Sequence, residues 1–165
     1  MNRYDQIWEE SFLNEIADVE SSSGTNPTDW RAGGRATKAF PDKENKAWWD
    51  ENGKQMFFNF ITAWRESKFK IWSAPDGNLG VELGFYNFFG EIPIKAYADL
   101  VVVTPEGELA VVDLKTGSHM PDSSLQLGIY ASLMEMQFGV RPTRAFFYDA
   151  RKANFEESFG LNRWS

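Results

Sequence analysis

Asp99, Asp113 and Lys115 are the residues of this chain best placed to do chemistry, and turn rules bring them together. The segment Ile94–Val103 is β-rich, as is Leu109–Lys115, and Thr104-Pro105-Glu106-Gly107-Glu108 runs between them. Proline opens a turn, and glycine takes the left-handed position of a three-residue hairpin loop. With Thr104 opposite Glu108, Val103 faces Leu109, Val101 faces Val111, and Asp99 falls opposite Asp113. Alternation along the strands then projects Asp99, Asp113 and Lys115 from one face. Carboxylates directly across a ladder lie roughly 5 Å apart. At an effective dielectric of about 20 they repel by about 3 kcal/mol. A divalent cation would convert that cost into binding energy, so the pair reads as a metal site with a lysine beside it.

The elements that must hold this hairpin are legible in outline. Residues 1–20 predict a helix, with Ile7, Trp8, Phe12, Leu13, Ile16 and Val19 near helical spacing. Ser21-Ser-Ser-Gly-Thr-Asn-Pro27 reads as a loop, and 28–45, with Trp30, Gly33, Gly34, Phe40 and Pro41, shows no clear period. A helix is expected from about Asn45 to Glu66, its stripe formed by Trp49, Met56, Phe57, Phe60, Ile61 and Trp64. The turn Ala74–Asn78 leads to a strand pair, Val81–Phe85 and Tyr86–Phe89, and then to the hairpin. Pro121-Asp-Ser-Ser124 carries helix-start signals, with the helix running to Gln137 and stopping at Gly139. Thr143–Tyr148 is the last strand expected. The order of helix, three strands, helix and strand predicts an α/β (α+β) fold with a mixed central sheet flanked by helices 45–66 and 122–137.

Composition narrows the class of protein. The 165 residues suit one domain, 1–165, with 1–44 as an N-terminal extension and 45–150 as the core. A hydrophobic content of 42%, with 14 Phe and 7 Trp, excludes disorder. The lack of cysteine excludes a disulfide framework and thiolate metal sites. No apolar run reaches membrane-spanning length and Met-Asn-Arg-Tyr-Asp has no signal-peptide character, so a cytoplasmic protein without membrane contact is expected. A formal charge of −7 argues against passive coating of DNA.

Asp99, then Asp113-Leu114-Lys115-Thr-Gly, then Gln126-Leu-Gly-Ile-Tyr130 resembles the PD-(D/E)XK nuclease superfamily, and within it the RecB-like exonucleases. The tryptophan-rich front half and Tyr148-Asp-Ala-Arg151-Lys152 are similar to phage-encoded members. The resemblance implies the restriction-endonuclease-like core and a metal-dependent deoxyribonuclease acting in phage recombination, replication or repair, in the host cytoplasm. It implies that Asp99, Asp113 and the Leu114 carbonyl ligate Mg²⁺ or Mn²⁺, with Glu82 as a further acidic ligand. Lys115 would orient the attacking water, and Gln126 and Tyr130, sharing one helix face, would touch substrate or support the site. Many RecB-like nucleases carry a histidine ligand before the sheet, whereas the one histidine here, His119, follows the Asp-x-Lys strand.

Blander readings stand beside these. Arg141, Arg144, Arg151 and Lys152 read as solvated charge first and as a phosphate track second, and Trp48-Trp49 and Phe57-Phe58 as core or interface. The rival function is a non-catalytic module of the same fold that binds DNA or protein. A third is the nuclease subunit of a complex in which a recombinase, helicase or single-strand-binding partner grips the DNA.

Overall fold

The computed structural model describes residues 3–27, 44–117, 119–157 and 161. The irregular stretch expected at 28–43 lies outside them. Two compact units divide the chain, Met1–Ile61 and Thr62–Ser165. The first holds helix α1 (Arg3–Ser23) and most of α2 (Lys46–Ser67). Helix α1 runs three residues into the stretch expected to be loop. The hydroxyls of Ser21 and Ser22 bond back to the carbonyls of Asp18 and Val19, which lets the serines extend the last turn. Trp8 stacks on Phe12 with ring centroids 5.1 Å apart and meets Phe57 of α2 at 5.9 Å. Gly53 makes room for it: a Cβ there would lie 2.7 Å from the Trp8 ring. Asn45 starts α2 as expected, its Oδ1 accepting the Trp48 N–H at 2.9 Å. The stripe on α2 is half-buried rather than buried, and Gly53 is that helix's buried residue.

The second unit is built on a mixed six-stranded sheet. Its strands are β1 (Lys70–Ile71), β2 (Val81–Phe89), β3 (Ile92–Val103), β4 (Leu109–Lys115), β5 (Arg144–Asp149) and β6 (Asn154–Glu157). The order is β1-β3-β4-β5-β6, with β2 also paired to β3. Helix α3 (Leu125–Phe138) joins β4 to its parallel neighbour β5, and every other pairing is antiparallel. Where a strand pair was expected at 81–89 there is one nine-residue strand, whose hairpin partner is β3. Gly90, at φ 61, makes the reversal. Strands β1 and β6 are additions to the expected order.

The turn chemistry of the β3–β4 hairpin holds. Thr104 N–H donates to the Glu108 carbonyl and Gly107 N–H to the Thr104 carbonyl, each at 2.9 Å, and Gly107 sits at φ 85. That sets Val103 against Leu109 and Val101 against Val111. On one side of the sheet Leu83, Phe85, Val101, Val111, Ala145 and Phe147 pack with Leu127, Tyr130, Leu133 and Met134 of α3. On the other, Phe69 lies 5.2 Å from Phe146 and 5.3 Å from Phe155, ring to ring.

Candidate active site

The β3–β4 ladder ends at Leu100 opposite Val112, one row short of the two aspartates. In place of a backbone pair at that row, Asp99 turns its carboxylate onto the next strand. Its Oδ2 accepts the Leu114 N–H at 2.7 Å. The β2–β3 register skips the same row: Val81 pairs Leu100 and Leu83 pairs Ala98, which leaves Glu82 abreast of Asp99. Glu82 is held at φ 48, a conformation L side chains seldom adopt. Ala98 and Val101 both lie in the α3-side core although three residues apart. Strict alternation therefore breaks at Asp99–Leu100, where the sequence reading assumed it unbroken. The outcome is a row of Glu82, Asp99 and Asp113 across three adjacent strands.

Asp113 is the buried member, at 2% relative exposure. Its Oδ2 lies 2.5 Å from Lys115 Nζ, a close ion pair that leaves this oxygen no other partner. Burial pushes the Asp113 carboxyl pKa up and the Asp99 charge adds to it; Lys115 pulls the other way without cancelling the rise. Lys115 also donates to Gln126 Oε1 at 3.0 Å, and Gln126 Nε2 donates to the Tyr130 hydroxyl at 2.7 Å. The one-turn spacing of Gln126 and Tyr130 on α3 makes that second bond possible. Burial raises the Tyr130 phenol, the Gln126 bond opposes this, and the charges of Asp113, Asp99 and Glu82 add to the rise. All three carboxylates therefore bear on one phenol.

The structure thus gathers Asp99, Asp113, Lys115, Gln126 and Tyr130, with Glu82 in the same row and the exposed Leu114 between the aspartate and the lysine. Among the described residues, no group of three or more acidic or histidine side chains is drawn closely enough to hold a metal ion. His119 is exposed in the loop after β4. The four basic residues near the last strand do not form a track. Arg144 opens β5, at the far end from Lys115, with Glu157 at 2.8 Å and Glu106 and Glu108 at 3.4 Å. Arg141 pairs with Glu135 at 2.6 Å, and Lys152 with Glu156 at 3.1 Å. Arg151 and Lys152 lie at the site end, Arg151 Nε donating to the Thr116 carbonyl at 2.9 Å and Lys152 Nζ standing 3.3 Å from Asp149.

Asp149 is a residue the sequence reading passed over. It stands beside Lys115 in the parallel β4–β5 register and is buried. Its Oδ1 accepts the N–H groups of Arg151 and Lys152 at 2.9 and 3.1 Å. Burial pushes its carboxyl up, but these bonds and the Lys152 ammonium outweigh that and leave it lowered. The resulting turn presents the Ala150 N–H to the Lys115 carbonyl at 2.9 Å, fixing the backbone that carries the lysine. An aspartate directly after a strand is the signal that could have identified it.

The profile of the PD-(D/E)XK nuclease superfamily matches residues 7–161. The Gene 69 protein of Mycobacterium phage D29 is 35% identical over 109 residues, 62% of this chain; the chain spans 40% of that relative's length. Among solved structures, the crystal structure of protein VC1899 from Vibrio cholerae aligns with 84% of this chain and 33% of its own. At a TM-score of 0.32 and 14% identity, that superposition is too loose to bear on the site. The family match takes in all but the ends of the chain, and on it the chain belongs to the PD-(D/E)XK nuclease superfamily.

Proposed function

We propose that this chain is a Mg²⁺- or Mn²⁺-dependent deoxyribonuclease that degrades DNA from its ends, as an exonuclease in phage recombination, replication or repair. One observation carries the reading. A buried carboxylate, Asp113, stands in one row with Asp99 and Glu82 and has a single lysine as counter-charge. One ammonium cannot offset a row of acids of which one is buried, and a divalent cation would. The donors around it are all hard oxygens, as Mg²⁺ and Mn²⁺ require.

Asp113 and Asp99 would hold the metal with the Leu114 carbonyl, and Glu82 would complete the set from the neighbouring strand. When bound, the metal would polarise the scissile phosphate and lower the pKa of a water molecule. Lys115, fixed by Gln126, would set its ammonium against the phosphate charge and orient the attacking water. Tyr130 would keep Gln126 in place. The phage relative supports a phage role. A second reading, a DNA- or protein-binding module without catalysis, draws on the lack of a three-acid cluster among the described residues. A recombinase, helicase or single-strand-binding partner would fit either reading, given the acidic net charge. Among the described residues no helix is long and apolar enough to cross a membrane.

End-labelled linear DNA and closed circular DNA, each incubated with Mg²⁺, Mn²⁺ or EDTA, test the proposal. Progressive shortening of the linear substrate with metal, with the circle spared, is the expected result. Cleavage of the circle would replace exonuclease with endonuclease. No cleavage of any substrate would leave the binding module.

A further inference from the structure

One face of the β2–β3 hairpin is built of exposed rings. Gly84, Tyr86 and Phe88 alternate along β2, and opposite them in register stand Tyr97, Lys95 and Pro93. Tyr86, Phe88 and Tyr97 are 66%, 48% and 49% exposed, while the alternate positions Leu83, Phe85 and Ala98 are buried in the α3-side core. The hairpin is therefore ordered, with one side packed and the other aromatic and bare. Contiguous apolar surface of this kind marks a binding site more often than scattered exposure does.

Three features say what binds there. First, Gly84 opens the face, since a Cβ at that position would come within 3.1 Å of the Tyr97 ring. Second, Lys95 holds its ammonium 5.4 Å from the Tyr97 ring centroid and forms no ion pair among the described residues. Arg144, Arg141, Lys152 and Lys54, by contrast, all sit against carboxylates. Third, the free edge of β2 is already occupied. Gln137 donates to the Gly84 carbonyl and accepts the Tyr86 N–H, each at 3.4 Å, and Asn87 Oδ1 accepts the Phe88 N–H at 2.8 Å. A strand from another chain finds those groups taken. Rings joined to a cation that leans on the Tyr97 phenol and has no carboxylate partner among the described residues suit bases and a phosphate instead.

Stepping by two along each strand, the positions after Gly84 and Tyr97 are Glu82 and Asp99. Two strand residues cover about 7 Å, so the rings form a track reaching roughly 20 Å from the carboxylate row. We propose that a single strand of DNA lies along this track, bases stacked on Phe88, Tyr86 and Tyr97 and a phosphate at Lys95, and is led to Glu82 and Asp99 at the near end of the carboxylate row. The direction of the track rests on the nuclease reading of that row. A duplex keeps its bases stacked on one another and away from the rings, so the face selects unpaired DNA.

Fluorescence anisotropy with labelled oligothymidine and the full chain in EDTA separates binding from hydrolysis. Tyr86→Ala and Phe88→Ala should each weaken binding roughly five- to a hundredfold, with Tyr86→Trp close to wild type. Lys95→Gln should flatten the salt dependence. Duplex of equal length should bind more weakly and ignore the ring variants. Circular dichroism and melting would show that the variants fold. Unchanged oligothymidine affinity in the double variant Tyr86→Ala/Phe88→Ala overturns the proposal. So does a duplex equally sensitive to the rings, or a wild-type dimer in sedimentation that the double variant dissolves. Ring-dependent binding in a protein that cleaves nothing with Mn²⁺ upholds the track and refutes the nuclease reading. Cleavage with ring-independent binding does the reverse.

Discussion

Replacing Asp113 with asparagine should exchange the stability ranking of wild type and variant according to whether metal is present. The substitution keeps the shape of the side chain and removes one charge. Repulsion from Asp99, about 3 kcal/mol for cross-strand neighbours at an effective dielectric of about 20, is relieved. The attraction of Lys115, 2.5 Å away, is lost as well. That lysine is partly exposed and keeps Gln126, so it is not stranded. The direction of the Asp113 pKa decides the balance, because a raised value means the folded site favours the uncharged carboxyl. A group raised in this way contributes stability that is fully present below its unfolded pKa. That stability is lost as pH rises through the folded value. The wild type loses it as Asp113 ionises, whereas the amide has no such charge to acquire. Without metal, Asp113→Asn should therefore melt no lower than wild type at pH 7.5. Mn²⁺ at ten times its dissociation constant should stabilise the wild type by about 1.4 kcal/mol. That is roughly 3–6 °C for a chain of this size. The variant should show no response. Differential scanning calorimetry across a Mn²⁺ titration, with an EDTA control, reads both effects. A variant that melts several degrees lower without metal would make the Asp113–Lys115 pair a structural salt bridge. An equal Mn²⁺ response in both proteins would place the metal elsewhere.

Lys115→Ala should abolish metal-dependent cleavage, and it should also cost about 1–3 kcal/mol at neutral pH, because it leaves a buried carboxylate without its counter-charge. Paired melts should show that loss recovered by acid, as Asp113 protonates, or by Mn²⁺. Gln126→Leu removes the acceptor that steers the lysine, so the single-turnover cleavage rate should fall while the Mn²⁺-induced rise in melting temperature survives. Gly80→Ala would press a Cβ against the Val101 carbonyl oxygen and to 2.9 Å from Val101 Cβ. Backbone cannot give way as a side chain can, so a cost of about 1–3 kcal/mol is expected. The melt should fall by roughly 2–12 °C, with the metal response intact.

The parts legible in the sequence are those whose determinants lie close together along the chain. Pro105 and Gly107 set the hairpin register, which puts Asp99 and Asp113 in one row. Asn45 and Gly139 marked helix ends through local backbone chemistry, the latter at φ 69. The two-residue β1 and the four-residue β6 carry too little pattern to be seen, because each exists through pairing with a strand distant in sequence. The 81–89 strand read as two because its exposed face is aromatic and shows no polar alternation. Glu82 joined the site through the β2–β3 register and a left-handed backbone, and neither is written in local composition. Arg144 looked like a partner of Arg151, but the strand between them carries their side chains to opposite ends of the sheet.

The bond from the Leu114 amide to the Asp99 carboxylate has a consequence for how faithfully this site can be assembled. At the row where the ladder should continue, a side chain takes the place of a main-chain acceptor. A slip of one residue between β3 and β4 would turn the apolar faces outward. It would also move Asp99 off the only strand position where this amide can meet it. Mispaired sheets are thus penalised twice, and a chain that has chosen the wrong partner rows cannot keep its row of carboxylates. Sheet register and the placing of the acids are inherited together, through one hydrogen bond.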